Sequence, residues 1–210
     1  MAVKKYLQFV KSKWFIAAAC LILGAAVILG IRFVTYKPDT VHYHANFALY
    51  INGQHQLFQG QQYYAETEMC TESTAMTPMG RAHMHDNVNN VVHVEDHAVT
   101  WGQFFTNLGW SMGPNFIESP DSTMYVENGS SQLHLILNGQ DYTDLGGVAN
   151  TVINDQDKLL VSFGDENNTT LMQQYRAIPS TAHKYDLSKD TGSCGSHSST
   201  TMHDRLTHMF

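Results

Sequence analysis

The sequence lacks acidic residues at its start and is poor in basic residues elsewhere. No Asp or Glu precedes Asp39, and 6 of the 12 Lys and Arg residues lie before residue 38, so 6 basic residues face 19 acidic ones in the rest of the chain. An acidic surface repels nucleic acid and attracts cations, although it also keeps exported domains soluble. We therefore expect no nucleic-acid partner, and the charge is compatible with a metal ion as partner.

Several catalytic motifs are also missing. No Ser or Cys is accompanied by a recognisable base, no Gly-rich loop is suited to phosphate, and no H-E-x-x-H helix is present. The segment that begins at His83, HMHDNV, lacks the Asp-His that follows H-x-H in metallo-β-lactamases, and the Glu spacing of cupins is absent too. Enzyme status is therefore uncertain, and a non-enzymatic role is the stronger expectation.

Cysteine is scarce, with 3 residues in the chain: Cys20, Cys70 and Cys194. Cys20 lies within an apolar segment that continues after it, which argues against a lipidated N-terminus. Cys70 and Cys194 are expected in an oxidising compartment, where a disulfide would close a loop of about 125 residues and stabilise the fold by roughly 5 kcal/mol in the chain-entropy model. We favour this bridge, and the alternative is that both thiolates bind a soft metal.

A long apolar segment near the start predicts a membrane anchor. Residues 14–34 contain one charged side chain, Arg32, and are long enough to cross the ~30 Å hydrocarbon core as a helix. Four lysines lie within residues 1–13, so the positive-inside rule assigns that segment to the cytoplasm and the rest of the chain to the outside of the cell membrane. A cleaved signal peptide is the alternative, but the apolar run exceeds the usual ~7–15 residues.

Beyond a tether at residues 35–40, the patterns predict one α+β domain over residues 41–165. Strands are expected at residues 41–51, 54–58, 91–95, 133–137 and 158–163, with a short helix at 101–108. Asn52-Gly53 and Asn138-Gly139 are signals for tight hairpin turns, and Thr100 is suited to cap the helix. We expect a single mixed β-sheet with the helix packed on it, β-grasp-like in arrangement, and a small β-sandwich is the alternative.

Two polar regions are expected to lie outside this sheet. Residues 60–81 form a predicted long loop, and loops of that length are usually functional or disordered. Residues 166–210 are predicted to form a polar surface strap, because much of this segment is rich in Ser, Thr and Gly. Its last part, residues 202–210, is predicted to be a short amphipathic helix that docks on the domain, or a metal-binding tail.

The histidines supply the candidate functional site. Two H-x-H pairs and one further histidine on a predicted strand could present imidazoles side by side, because residues i and i+2 of a strand share a face. The predicted metal ligands are His42, His44, His83, His85 and His93. Asp86 and Glu95 are predicted to orient an imidazole from behind. The alternative is a buried hydrogen-bonded network of histidines and carboxylates without metal.

Ligand softness governs the choice of metal. Imidazole suits zinc and copper, and soft sulfur selects Cu(I), so nearby thioethers favour copper slightly over zinc. The methionines concerned are Met69, Met76, Met79, Met84, Met202 and Met209. Methionine is also an ordinary filler of hydrophobic cores, which leaves zinc open.

The motifs together resemble an uncharacterised family of exported or membrane-anchored microbial proteins. The shared pattern consists of an N-terminal anchor, H-x-H at His42, H-x-H-D at His83, H-x-E at His93 and GQFF at residues 102–105. The resemblance covers roughly residues 41–108 and extends less clearly to residues 208–210. It implies that these histidines belong together, and it implies neither a reaction nor a metal.

Three functions follow from these observations. The first is a non-enzymatic, membrane-anchored metal-binding protein on the extracytoplasmic side. The second is a zinc-dependent hydrolase or lyase, in which three histidines hold the ion and Glu95 or Asp86 acts as general base. The third is a histidine-rich interaction module without metal, whose protein partner the sequence does not identify.

Overall fold

The computed structural model describes residues 13–37, 41–64, 77–84, 87–142, 145–187 and 202–208. The chain divides into two compact units, Met1–Asp39 with Ser198–Phe210 as the first and Thr40–His197 as the second. Several residues with predicted roles lie outside the described residues: His85, Asp86, Cys70, Cys194, Met69, Met76 and Met209. The Cys70–Cys194 disulfide and the roles of His85 and Asp86 therefore stay predictions.

The predicted apolar helix is present as α1 (Lys13–Thr35), and it carries no buried residue. Its apolar side chains are distributed all around the helix, which is characteristic of a segment surrounded by lipid rather than by water. The helix is long and apolar enough to cross a membrane, and a signal sequence meets the same criteria. The predicted apolar helix is therefore confirmed, with the length and composition of a membrane-spanning segment.

The second unit contains a mixed seven-stranded sheet and a separate three-stranded sheet. In chain order the strands are β1 (Tyr43–Ile51), β2 (Gln54–His55), β3 (Ala82–His83), β4 (Val91–Val94), β5 (Ser111–Gly113), β6 (Phe116–Glu118), β7 (Met124–Val126), β8 (Gln132–Leu137), β9 (Gln140–Tyr142) and β10 (Lys158–Gly164). The large sheet has the order β3-β4-β1-β10-β8-β9, with β2 paired to β1, and β5-β6-β7 form the small sheet. The predicted mixed sheet is confirmed, but the expectation of a single sheet is wrong, because β5-β6-β7 form a second one.

Both predicted hairpins are confirmed by their turn geometry. Asn52 and Gly53 have φ of 48° and 75°, and Asn138 and Gly139 have φ of 53° and 83°. Positive φ at both central residues is the requirement of a type I′ turn, which Asn-Gly meets at little steric cost. Within the large sheet β1 and β10 run parallel to each other, and the other neighbouring strands are antiparallel.

Helices follow in chain order as α2 (Pro78–Arg81), α3 (Trp101–Asn107), α4 (Leu145–Ala149), α5 (Asn168–Ala177), α6 (Ala182–Leu187) and α7 (Met202–Thr207), and Gln61–Tyr63 is a 3₁₀ turn. Helix α3 begins where the sequence predicts. Thr100 Oγ1 accepts from the Gln103 backbone N–H, and the Gln103 side chain accepts from the Thr100 N–H. This reciprocal capping satisfies two backbone donors at the helix start.

The two faces of β1 have different partners. Ala45, Phe47 and Leu49 point into the main hydrophobic core, where the rings of Phe47 and Phe104 of α3 meet edge to face at 4.8 Å. Ala48, on the opposite face, belongs to a second apolar cluster with Leu171 of α5. The alternation along β1 thus buries apolar residues on both faces of the sheet.

Two helices lie in the segment that the sequence assigns to a polar strap. The first of them, α5, spans 10 residues. Helix α6 is held on β1 by Asn46, whose Oδ1 accepts from the backbone N–H groups of Thr181 and Ala182 at 3.0 and 2.9 Å. The N–H groups of the first residue of α6 and of the residue before it are thereby satisfied by a side chain from a distant strand.

Helix α7 is present within the predicted range 202–210, but its described contacts differ from the prediction. Arg205 Nη1 donates to the backbone oxygens of Phe33 and Val34, at the end of α1. The sequence predicts docking on the domain, whereas this helix belongs to the same compact unit as α1.

Candidate metal centre

Three histidines on adjacent strands lie side by side on one face of the large sheet. His44 of β1 is paired in register with His93 of β4, and His93 is paired with His83 of β3. Residues flanking them in these strands, including Ala45, Val92 and Val94, point to the opposite face and into the main core. The period of two in each strand therefore separates the imidazoles from the apolar side chains.

His42, His44 and His93 form a compact cluster. One ring nitrogen from each lies within 4.8 Å of the others. The His42 ring centroid is 5.1 Å from that of His44 and 4.6 Å from that of His93. His44 and His93 are buried, with 0% and 1% of their surface exposed, and His42 is half-buried. Three imidazole nitrogens at this spacing could hold a metal ion.

Carboxylates bind the outer nitrogens of two of these rings. His44 Nδ1 lies 2.7 Å from Asp186 Oδ1, and His93 Nε2 lies 2.7 Å from Glu95 Oε1. Because an ionised carboxylate only accepts, the imidazole N–H must be on His44 Nδ1 and on His93 Nε2. The Glu95 side chain is nearly fully buried, at 3% exposure, and each carboxylate fixes the orientation of the ring that it binds.

The inner nitrogens of the same rings face each other. His44 Nε2 and His93 Nδ1 are 2.9 Å apart. With the outer nitrogens protonated, both inner nitrogens of neutral imidazoles present lone pairs, and two lone pairs at this distance repel. A metal ion bound by both rings would remove this repulsion, and so would one added proton within the network.

His42 contributes a third nitrogen to this cluster. Its Nε2 is buried and has no hydrogen-bond partner among the residues that the structure describes. A buried polar atom without a partner in a native protein calls for an explanation, such as an ordered water or an ion. The three rings together offer nitrogen ligands, and the carboxylates behind two of them resemble those that orient metal-binding histidines in other proteins.

His83 lies next to the cluster without being one of the three. Its ring stacks on that of His93 with centroids 5.0 Å apart, and its Nδ1 donates to the backbone oxygen of Met79 at 3.0 Å. In this conformation His83 supports the His93 ring. Met84, one of the methionines that favoured copper, is fully buried in the main core, on the other face of the sheet.

Asp186 was missed at the sequence level. It lies on α6, in a segment predicted to be a polar strap, and 142 positions separate it from His44. No local pattern identifies it, because a single Asp in a short polar helix is ordinary. Asp186 reaches His44 because the buried Asn46 of β1 binds the start of α6.

A partly exposed ion pair lies near the strand ends beside the site. Arg81 Nε donates to Asp96 Oδ2 at 2.6 Å, and Arg81 Nη2 donates to the His97 backbone oxygen at 3.1 Å. Partial burial works against ionisation of Asp96, but hydrogen bonds from Arg81 and from the His97 N–H prevail and hold the pKa of Asp96 below its ordinary value. This pair joins α2, before His83, to the turn after Glu95.

The cavity that the described residues form beside the cluster is small. A cavity of about 10 Å³ is lined by His44, Val88, Val91, His93 and Tyr185. That volume suits one water molecule or one ion. A larger groove of about 740 Å³ runs along α3, past Thr100, Gln103 and Asn107, and none of the three clustered histidines lines it.

Comparisons with protein-family models, with curated proteins and with solved structures each find no match to this chain. The family resemblance of the motifs therefore stays a prediction.

Proposed function

We propose that this protein is a membrane-anchored, non-enzymatic metal-binding protein in which His42, His44 and His93 hold one ion. Helix α1 serves as an uncleaved anchor with residues 1–13 in the cytoplasm, and the sheet domain lies on the extracytoplasmic side. The acidic charge of that part of the chain would draw cations toward it.

The observation that carries this proposal is the pair of inward-facing nitrogens, His44 Nε2 and His93 Nδ1, whose outer nitrogens are both bound to carboxylates. Two nitrogens bound to the same tetrahedral Zn²⁺ are about 3.3 Å apart. A small opening of the 2.9 Å gap would therefore admit the ion between them. His42 would then supply the third nitrogen.

The donor set suits copper or zinc. Imidazoles bind both ions, and Cu²⁺ binds a given nitrogen site more tightly than Zn²⁺ in the Irving–Williams order. We therefore expect copper rather than zinc, because nitrogen ligands have the higher affinity for Cu²⁺. Sulfur is a weaker argument, because the thioether of Met84 lies in the hydrophobic core.

A zinc hydrolase or lyase is less well supported. Catalytic zinc keeps an open position for water and substrate, and the described cavity beside His44 and His93 has a volume of about 10 Å³. Glu95, the candidate general base, is hydrogen-bonded to His93 Nε2 and so orients a ligand instead of facing a substrate.

A specific observation favours a second candidate, a structural histidine network without metal. The series Asp186, His44, His93 and Glu95 is continuous through contacts of 2.7 to 2.9 Å. One added proton between His44 and His93 would satisfy every one of these contacts. Such a network would join α6 to two strands and serve stability alone.

Metal binding to the full-length protein in detergent separates the two candidates. The protein is stripped of metal, dialysed against limiting Cu²⁺ or Zn²⁺, and analysed by elemental mass spectrometry. We expect about one ion per chain, since one three-nitrogen set is proposed. The Cu²⁺ form should show nitrogen hyperfine coupling from imidazole in its electron paramagnetic resonance spectrum.

His42→Ala is the informative variant, because His42 is half-buried and its Nε2 has no described partner, so its loss should leave the fold intact. It should lose the bound ion. His134→Ala is the matched control, since His134 is also half-buried and lies on β8, away from the cluster. Failure of the parent to bind either ion, or equal binding by both variants, would contradict the metal proposal.

We also infer a β-grasp-like arrangement for the sheet domain. The parallel pairing of the first and last long strands, β1 and β10, near the middle of the sheet supports it. The hairpins β1–β2 and β8–β9 on either side, with α3 packed against Phe47, are further support. An experimental structure with a different strand order would refute this inference.

A further inference from the structure

A side chain of α7 caps the C-terminal end of α1. The last carbonyl groups of a helix have no partner within it. Arg205 Nη1 donates to the backbone oxygens of Phe33 at 2.7 Å and Val34 at 3.1 Å, which are two of these groups. Arg32 Nη2 in turn donates to the His208 backbone oxygen at 3.4 Å. The two helices are thus joined by reciprocal arginine contacts.

An aromatic contact reinforces this junction. The rings of Tyr36 and His208 are stacked, with centroids 4.9 Å apart and planes 11° from parallel. The Arg205 guanidinium also lies over the Phe33 ring, at 5.9 Å from its centroid. Tyrosine is enriched at the level of lipid headgroups, where its ring and hydroxyl meet different surroundings.

The junction leaves an apolar face of α7 exposed. Met202 and Leu206 are 70% and 52% exposed, and their spacing of four residues puts them on the same face of the helix. Three basic residues, Arg32, Lys37 and Arg205, outnumber the two acidic ones in this part of the unit, Asp39 and Asp204, whereas acidic residues outnumber basic ones in the chain from residue 40 to 197. An apolar face next to basic side chains suits a membrane surface with anionic lipid phosphates.

We propose that α7 is a second membrane contact, an interfacial helix that inserts Met202 and Leu206 among the lipids at the outer end of α1. The proposal rests on the proposed anchor, because it requires α1 to cross the membrane. The sheet domain, Thr40–His197, is then attached to the membrane at both of its ends, by α1 before it and by α7 after it.

Photo-crosslinking in liposomes tests this placement. The full-length protein is reconstituted in vesicles of phosphatidylethanolamine and phosphatidylglycerol, with a diazirine amino acid introduced at position 206, 207 or 23 in separate samples. Thr207 is the matched control because it is also exposed and lies on another side of α7. Leu23, which is 67% exposed on α1, reports on the anchor itself. Lipid adducts are measured by mass spectrometry after irradiation.

We expect the probe at 206 to give several-fold more lipid adduct than the probe at 207, and the probe at 23 to label lipid strongly. Equal labelling at 206 and 207, or adducts at 206 with protein only, while position 23 labels lipid, would overturn the interfacial helix and leave the anchor intact. Absence of lipid adducts at position 23 would overturn the anchor and this proposal with it.

Arg205→Ala tests the junction in the same assay. Loss of the bonds to the Phe33 and Val34 oxygens should reduce lipid labelling at 206 several-fold, and Arg205→Lys, which keeps one donor group, should retain part of it. Unchanged labelling in Arg205→Ala would overturn the role of α1 in positioning α7.

Discussion

The two faces of β1 are stabilised by different interactions, apolar packing on one and polar contacts on the other. On one face, Ala45, Phe47 and Leu49 pack into a continuous core that includes the rings of α3. On the other, His44 and Asn46 are just as deeply buried, at 0% and 3% exposure, but are polar. Apolar packing needs only shape and volume, whereas each buried polar atom needs a specific partner. The polar face therefore depends on segments that lie far away in the chain.

The partners of that face come from β4 and from the segment that contains α6. Glu95 binds His93, Asp186 binds His44, and Asn46 Oδ1 accepts from the backbone of Thr181 and Ala182. The apolar face is therefore expected to determine global stability, and the polar face is expected to determine the position of α6 and the affinity for metal. Substitutions on the two faces should separate these properties.

Phe47→Ala should have the largest effect on stability. Truncation of this fully buried ring leaves a cavity beside Phe104 and Phe105, and the free energy of unfolding should fall by about 3–5 kcal/mol. Chemical denaturation followed by circular dichroism measures the change. Any variant protein that remains folded should still bind metal at the parental stoichiometry, because Phe47 points away from the histidines. A loss below about 1 kcal/mol would contradict the separation of faces.

Asn46→Ala should act mainly on α6. It leaves two backbone N–H groups without their acceptor, at a cost of about 1–3 kcal/mol. Hydrogen exchange of the amides in α6 should become faster, and metal affinity should fall because Asp186 is carried by this helix. Asn46→Asp is the comparison variant: its carboxylate still accepts from both N–H groups but loses the Nδ2 bonds to Asn90 O and Thr181 Oγ1, so its exchange should lie between those of the parent and Asn46→Ala. Unchanged exchange in Asn46→Ala would refute this role for Asn46.

Sequence patterns predicted the strands, turns and helix start that form the apolar core. The Asn-Gly turns, the Thr100 cap and the strands at β1, β4, β8 and β10 all depend on local chemistry and are confirmed. The pairing of His44 with His93 requires β1 and β4 to be neighbours in register, which no local pattern determines. Asp186 could not be predicted at all, because its role depends on how α6 packs and not on its own neighbours in sequence.

Asp186→Asn tests the polar face at the site itself. The substitution preserves shape but removes the charge that orients and polarises the His44 ring, so metal affinity should fall about 10–100-fold. The free energy of unfolding without metal should change less than the affinity, because the amide oxygen of the variant can still accept from His44 Nδ1. Competitive titration with a metal indicator measures the affinity. Equal affinity in parent and variant would show that Asp186 does not support a metal ligand.

Asp96→Asn should have the smallest effect and the clearest dependence on pH. Its ion pair with Arg81 is partly exposed, at 43% and 31%, so solvent screening limits its contribution to below about 1 kcal/mol. The pKa of Asp96 lies below its ordinary value of 3.8, so the folded state binds the proton more weakly than the unfolded state. The contribution is therefore fully present above the ordinary pKa and is lost as the pH falls through the folded pKa.

Denaturation curves of parent and variant should differ slightly at pH 7 and converge in acid, with metal affinity unchanged. A larger difference in acid than at pH 7 would reverse the sign and contradict the ion pair, and a fall in metal affinity would mean that this pair also positions Glu95 and His83.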